Sequence, residues 1–103
     1  LKLLPSLAVA AALLISTQVH ANKELAQKNA CLACHAVDKK LVGPAYQDVA
    51  KKYAGQADAM AVLTASIQKG SSGKWGAVPM PAQPAMSEAD AKALAAWVLG
   101  GAK

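Results

Sequence analysis

The sequence predicts an all-α domain of about four helices. Three observations point that way. Apolar residues recur at helical spacing in stretches that open on capping residues and stop at glycine. No stretch alternates convincingly at period two, so strands are not expected. The foldable part of the chain is also poor in large side chains: its aromatics are Tyr46, Tyr53, Trp75 and Trp97, and there is no Phe. Buried alanine removes little area from water. A chain of 103 residues built this way needs a staple beyond its own core.

Residues 1–21 read as a cleaved signal peptide, with the domain at 22–103. Lys2 is the positive start, Leu7 to Ile15 the apolar run, and Val19-His20-Ala21 the small-residue cleavage site. Nine apolar residues are too few to cross a bilayer, which takes about 20, so no stable membrane insertion is expected after cleavage.

The elements follow in order. Asn22 can cap a short helix from Lys23 to Asn29, with Leu25 and Ala26 on one face. After Cys31-Leu32-Ala33-Cys34-His35 comes a loop, Asp38 to Pro44. A second helix, Tyr46 to Tyr53, stops before Gly55. Asp58 is a suitable cap for a third, Ala59 to Lys69, whose stripe is Met60, Leu63 and Ile67 and whose stop is Gly70. Ser87, with Asp90 three residues on, opens the last helix; Ala91, Leu94 and Val98 form its stripe and Gly100-Gly101 ends it. Between the last two helices runs Gly70 to Met86, with three glycines and three prolines. A compact domain rarely keeps so long a loop without a use for it.

The chemistry centres on Cys31-Leu32-Ala33-Cys34-His35. Cys-x-x-Cys-His is a haem-attachment pattern: the two thiols add across the two haem vinyl groups, and the next histidine offers a nitrogen to the iron. Competing readings are weaker. A disulfide leaves His35 without a role, a thioredoxin-like pair wants a βαβ setting, and structural zinc needs four ligands. A covalent haem c, bound through Cys31 and Cys34, also supplies the missing apolar mass.

His35 is the proximal metal ligand, and the only histidine left once His20 departs with the leader. A ligating imidazole usually donates its other N–H to a carbonyl. Pro44 is a candidate acceptor, although Gly43-Pro44 also reads as a plain turn. For the second axial position the chain offers Met60, Met80 and Met86. Met60 lies on a helical stripe, where core packing accounts for it. Met80, in Val78-Pro79-Met80-Pro81, is held extended by its prolines and can present a thioether. Met86, beside the cap of the last helix, is better placed to seal the loop. Met80 is therefore the predicted ligand and Met86 the alternative. Leu41, Val42, Leu63, Ile67 and Val78 are expected against the porphyrin. Trp75 either donates its indole N–H to a propionate or anchors its glycine-rich loop.

His/Met ligation raises the reduction potential and fills both axial positions. That combination favours one-electron transfer over catalysis, so the protein is not expected to be an enzyme. The alternatives are a haem-based ligand sensor or a small peroxidase with a labile sixth ligand. The formal net charge is +5, carried by lysine with no arginine. It favours acidic redox-protein partners, and without basic runs it argues against nucleic acid. Lys28, Lys39, Lys40, Lys51, Lys52 and Lys74 could ring an exposed haem edge.

Taken together, the Cys31–His35 motif, Val42-Gly43-Pro44-Ala45-Tyr46, Trp75-Gly76, Pro79-Met80-Pro81 and Ala96-Trp97-Val98 resemble the short bacterial class I cytochromes c, of the five-fifty-one subgroup. The likeness spans nearly all of residues 22–103. It implies the small class I fold, with the helices wrapped around one haem c, in a periplasmic monomer. It also implies electron passage from an upstream reductase donor to a terminal reductase or oxidase, His35 and Met80 as axial ligands, Pro44 as the carbonyl partner of His35, and Trp75 as a propionate donor. Two positions depart from the pattern. Ser66 stands where relatives often carry a basic residue, which implies a propionate without a cationic partner and a pH-dependent potential. Gln83 stands near the position of an asparagine that bonds the methionine sulfur, and it is expected to substitute for it with a looser reach.

Overall fold

The computed structural model describes residues 23–103. The expected leader and the Asn22 cap lie outside these residues. Among these residues there are four α-helices: α1 Lys23–Lys28, α2 Tyr46–Tyr53, α3 Ala59–Lys69 and α4 Glu88–Leu99. A 3-10 turn, Cys31–Ala33, follows α1. No strand forms among the described residues; one isolated antiparallel bridge pairs Ser71 with Met80.

α4 is the central element. Ser87 Oγ accepts the Asp90 N–H at 3.0 Å, and Glu88 and Asp90 face the positive end of the helix dipole. Ala91, Leu94, Ala95 and Val98 recur at i, i+3, i+4 and i+7 and are all buried. α3 and α2 pack on this stripe, burying Tyr46, Val49 and Tyr53 from α2 and Ala59 and Leu63 from α3. A second cluster joins Ala26 of α1 to Met86, Ala91 and Leu94. Leu32, Ile67 and Trp97 pack against both clusters.

Among the described residues those with no exposure are Ala26, Ala91 and Ala95. The deepest packing is thus between small side chains, which lets helices approach closely but buries little area each.

Two expectations change. Asp58 stands at the N-cap of α3 without a side-chain capping bond. Met60 has the angular position of a core residue, yet it is 39% exposed. It lies in the first turn of α3, where it borders a shallow groove with Ala50, Tyr53 and Leu99 instead of entering the core.

Candidate functional site

One cleft gathers most of the chemistry. Cys31, Cys34, His35, Pro44, Leu63, Ile67, Trp75, Val78 and Met80 all line it, with Tyr46, Leu94 and Val98 among its walls. Its atom-free space, counting open solvent at the mouth, is about 1210 Å³.

The wall carrying the cysteines is tightly bonded. Ala30 adopts φ 61°, turning the chain sharply out of α1. The 3-10 turn that follows places residues three apart in eclipse, so both thiols emerge on one side. The Cys34 and His35 N–H groups both bond Cys31 O, at 3.1 and 3.0 Å. Gly43 N–H bonds Cys34 O at 2.7 Å, bringing the loop back under the motif. His35 Nδ1 then lies 2.8 Å from Pro44 O. As donor in that bond, Nδ1 leaves Nε2 as the nitrogen able to bind a metal. A Cβ on Gly43 would lie 2.5 Å from His35 Cε1, so this position must lack a side chain. The Tyr46 ring stacks on the imidazole, with centroids 4.9 Å apart.

Opposite chemistry comes from the long loop. Ser71 and Met80 exchange backbone bonds at 3.1 and 2.7 Å, which fixes the Met80 main chain. Gly70 makes this possible twice over: it holds φ +86°, and a Cβ there would meet Met80 O at 2.8 Å. Further along, Gln83 N–H bonds the Ile67 and Gln68 carbonyls of α3, and Gln68 Nε2 donates to Met86 O. Gln83 therefore ties the loop to α3 through its backbone and is not one of the cleft-lining residues. Met86 is buried against α1 and α4, away from the cleft lining.

The cysteines are not joined to each other. Burial pushes the Cys31 thiol up, opposite to the lowered value of a redox-active thiolate. Tyr46 is pushed up as well, by its own burial and then by the neighbouring Cys31, so it remains a phenol. Among the described residues no group of three or more His, Cys, Asp and Glu stands together as a structural zinc site would need. Val42 and Val78, 54% and 64% exposed, present apolar surface on the cleft wall that a flat hydrophobic group would cover. Paired thiols on one side, an imidazole with one free nitrogen, a thioether and apolar walls are together the donor set a covalently held haem requires.

Not every expected residue takes part. Leu41 is exposed and is not one of the cleft-lining residues. Of the candidate lysines, only Lys40 and Lys74 line the cleft. The Lys52 ammonium lies 5.3 Å from the Trp75 ring centroid instead. Sequence reasoning did not single out Ser71, Tyr46 or the contact of Gly43 with His35. Gly43-Pro44 signals a turn and Pro44 offers His35 a carbonyl, but nothing local signals that the imidazole also lies against Gly43.

Comparison with known proteins accords with this geometry. Residues 19–102 match the cytochrome c family profile. The chain is 52% identical to cytochrome c-552 of Nitrosomonas europaea over 90 residues, 87% of each chain. It is 56% identical to cytochrome c-552 of Hydrogenobacter thermophilus, over 77% of this chain and 80% of that one. The crystal structure of the wild-type Nitrosomonas protein superposes with a TM-score of 0.76 at 52% identity, covering 78% of this chain and 99% of the other. A class 1 cytochrome from Sideroxydans lithotrophicus ES-1 gives 0.70 at 35% identity, over 85% and 100%. A cleft that supplies two thiols, an imidazole and a thioether, in a fold shared with these proteins, makes the chain a member of the cytochrome c family, a small class I electron carrier with one covalently attached haem c.

Proposed function

We propose that the protein is a periplasmic one-electron carrier whose haem iron is held between His35 Nε2 and the Met80 sulfur. The observation that carries this reading is the fixing of both donors on one cleft: His35 by its 2.8 Å contact with Pro44 O, Met80 by its paired bonds to Ser71. The bound group supplies a reversible one-electron change at iron. Thioethers from Cys31 and Cys34 hold it in place. Met80 raises the potential and denies the sixth position to exogenous ligands. Trp75, at the cleft mouth, donates its indole N–H to a propionate. Neither cysteine nor histidine has a proton-transfer task, and no enzymatic role is assigned.

The partners are redox proteins with acidic faces, an upstream reductase and a terminal reductase or oxidase, met by a monomer. Lys40 and Lys74 at the cleft and the overall positive charge support that choice. Residues 1–21 support export, and no helix among the described residues is long and apolar enough to cross a membrane.

Replacing Met80 by Ala tests the ligand set. The oxidised wild type should show the red charge-transfer band of iron–thioether bonding, and the reduced protein should bind carbon monoxide slowly. In Met80→Ala the band should vanish and carbon monoxide should bind readily. A band that survives moves the ligand to Met86. Rapid carbon monoxide binding by the wild type favours a sensor or peroxidase.

A further inference from the structure

Tyr46 makes contacts that axial ligation alone does not use. Its ring is nearly parallel to the His35 imidazole, at 4.9 Å and 18°. It also meets Trp97 of α4 edge-on, at 5.4 Å and 69°. Its backbone N–H bonds Ala36 O at 2.9 Å, and it lines the same cleft as Cys31. It is 7% exposed. One buried side chain thus stacks on the histidine of the attachment motif and connects it to the central helix.

We propose that Tyr46 is a positioning residue for His35, its stacked ring fixing the rotation of the imidazole plane and so the orientation in which Nε2 meets iron. This rests on His35 being the proximal ligand. The physical need is plain. The bond from Nδ1 to Pro44 O restrains the imidazole at one atom, and a ring held there can still rock about that contact. A parallel ring in van der Waals contact resists rocking because any tilt drives atoms of the two rings together. Gly43, with no Cβ, lets the loop close on the same imidazole. Trp97 backs Tyr46 from α4, so the plane is referred to the rigid part of the molecule. Holding a functional group by packing around it is how orientation is kept to within a few degrees.

The test uses the haem-loaded protein and two variants, Tyr46→Phe, which keeps the ring, and Tyr46→Leu, which keeps only apolar bulk. In the oxidised protein the order and spread of the haem methyl proton resonances report the imidazole plane together with the Met80 thioether orientation, and Overhauser contacts of the Met80 methyl to the haem, unchanged between variants, assign a rearranged order to the imidazole. Phe should retain the wild-type order; Leu should rearrange it and shift the midpoint potential. A tyrosine that merely stabilises the fold would lower the melting temperature of the Leu variant and leave the methyl order alone, which overturns the proposal. Should the Leu variant fail to load haem, the reduced wild type decides. Nuclear Overhauser contacts between the Tyr46 and His35 rings are required, and their absence, or a rearranged order in Tyr46→Phe, also overturns it. A wild type lacking the low-spin histidine–iron signature would remove the ligand reading itself before any variant is compared.

Discussion

At the scale of single residues, the site depends on what two positions leave out. Gly43 omits a Cβ that would collide with the His35 ring. Gly43→Ala should displace the imidazole or the loop, costing about 1–3 kcal/mol of stability, as overpacking does in a well-filled interior. Denaturant unfolding of the haem-loaded protein measures it, and an unchanged midpoint would contradict the contact. Ser66 omits a charge. It lines the cleft, where the charged side chains are Lys40 and Lys74. If the bound haem sets a propionate near Ser66, as the resemblance implies, that propionate would lack a cation at this position and be harder to ionise. Ionisation favours the oxidised iron, so the midpoint potential should fall as pH rises through the near-neutral range. Ser66→Lys eases ionisation and should move that fall to lower pH. Voltammetry across the range checks both, and a flat wild-type curve counts against the reading.

At the scale of elements, the helices were legible because their signals are local. The bounds of α2 and α3 coincide with the expected Tyr46–Tyr53 and Ala59–Lys69, and Ser87 caps α4 as its pattern suggests. The bridge between Ser71 and Met80 was not legible, since its partners meet only when the loop folds back on the end of α3. Gly70 is the pivot. Gly70→Ala combines a strained φ with a Cβ 2.8 Å from Met80 O. The cost should exceed the about 1–3 kcal/mol that this glycine-only backbone conformation alone imposes on another residue. Loss of iron–thioether bonding should accompany it, seen as a weakened red charge-transfer band and a lower melting temperature. A variant with both intact would show that the loop does not depend on this close approach.

For the whole molecule, the decisive fact is how little the polypeptide buries by itself. Its zero-exposure residues are alanines, while Val42, Val78 and Trp75 remain open along the cleft. Folding has to offset about 1–2 kcal/mol of backbone entropy per ordered residue, and alanine contacts return little of it. The double variant Cys31→Ala/Cys34→Ala, which cannot hold haem covalently, should therefore lose most of its cooperative unfolding transition and part of its helix content. Far-UV circular dichroism with thermal melting measures both. A sharp transition near that of the haem-loaded protein would mean the core suffices alone.

The linear chain by itself determined the helices, the attachment motif and the short list of candidate ligands, because periodicity, caps and Cys-x-x-Cys-His act over a few residues. Only the tertiary structure decided which side chains stand together. It gave His35 the Pro44 carbonyl that the resemblance implied, set Gly43 against the same ring, and anchored Met80 through Ser71. It took Lys52 to Trp75, left Met60 and Leu41 exposed, and gave Tyr46 to His35. Each of those outcomes joins segments that are distant in sequence or sets how far one element extends past another. Packing of the closed chain alone settles such matters.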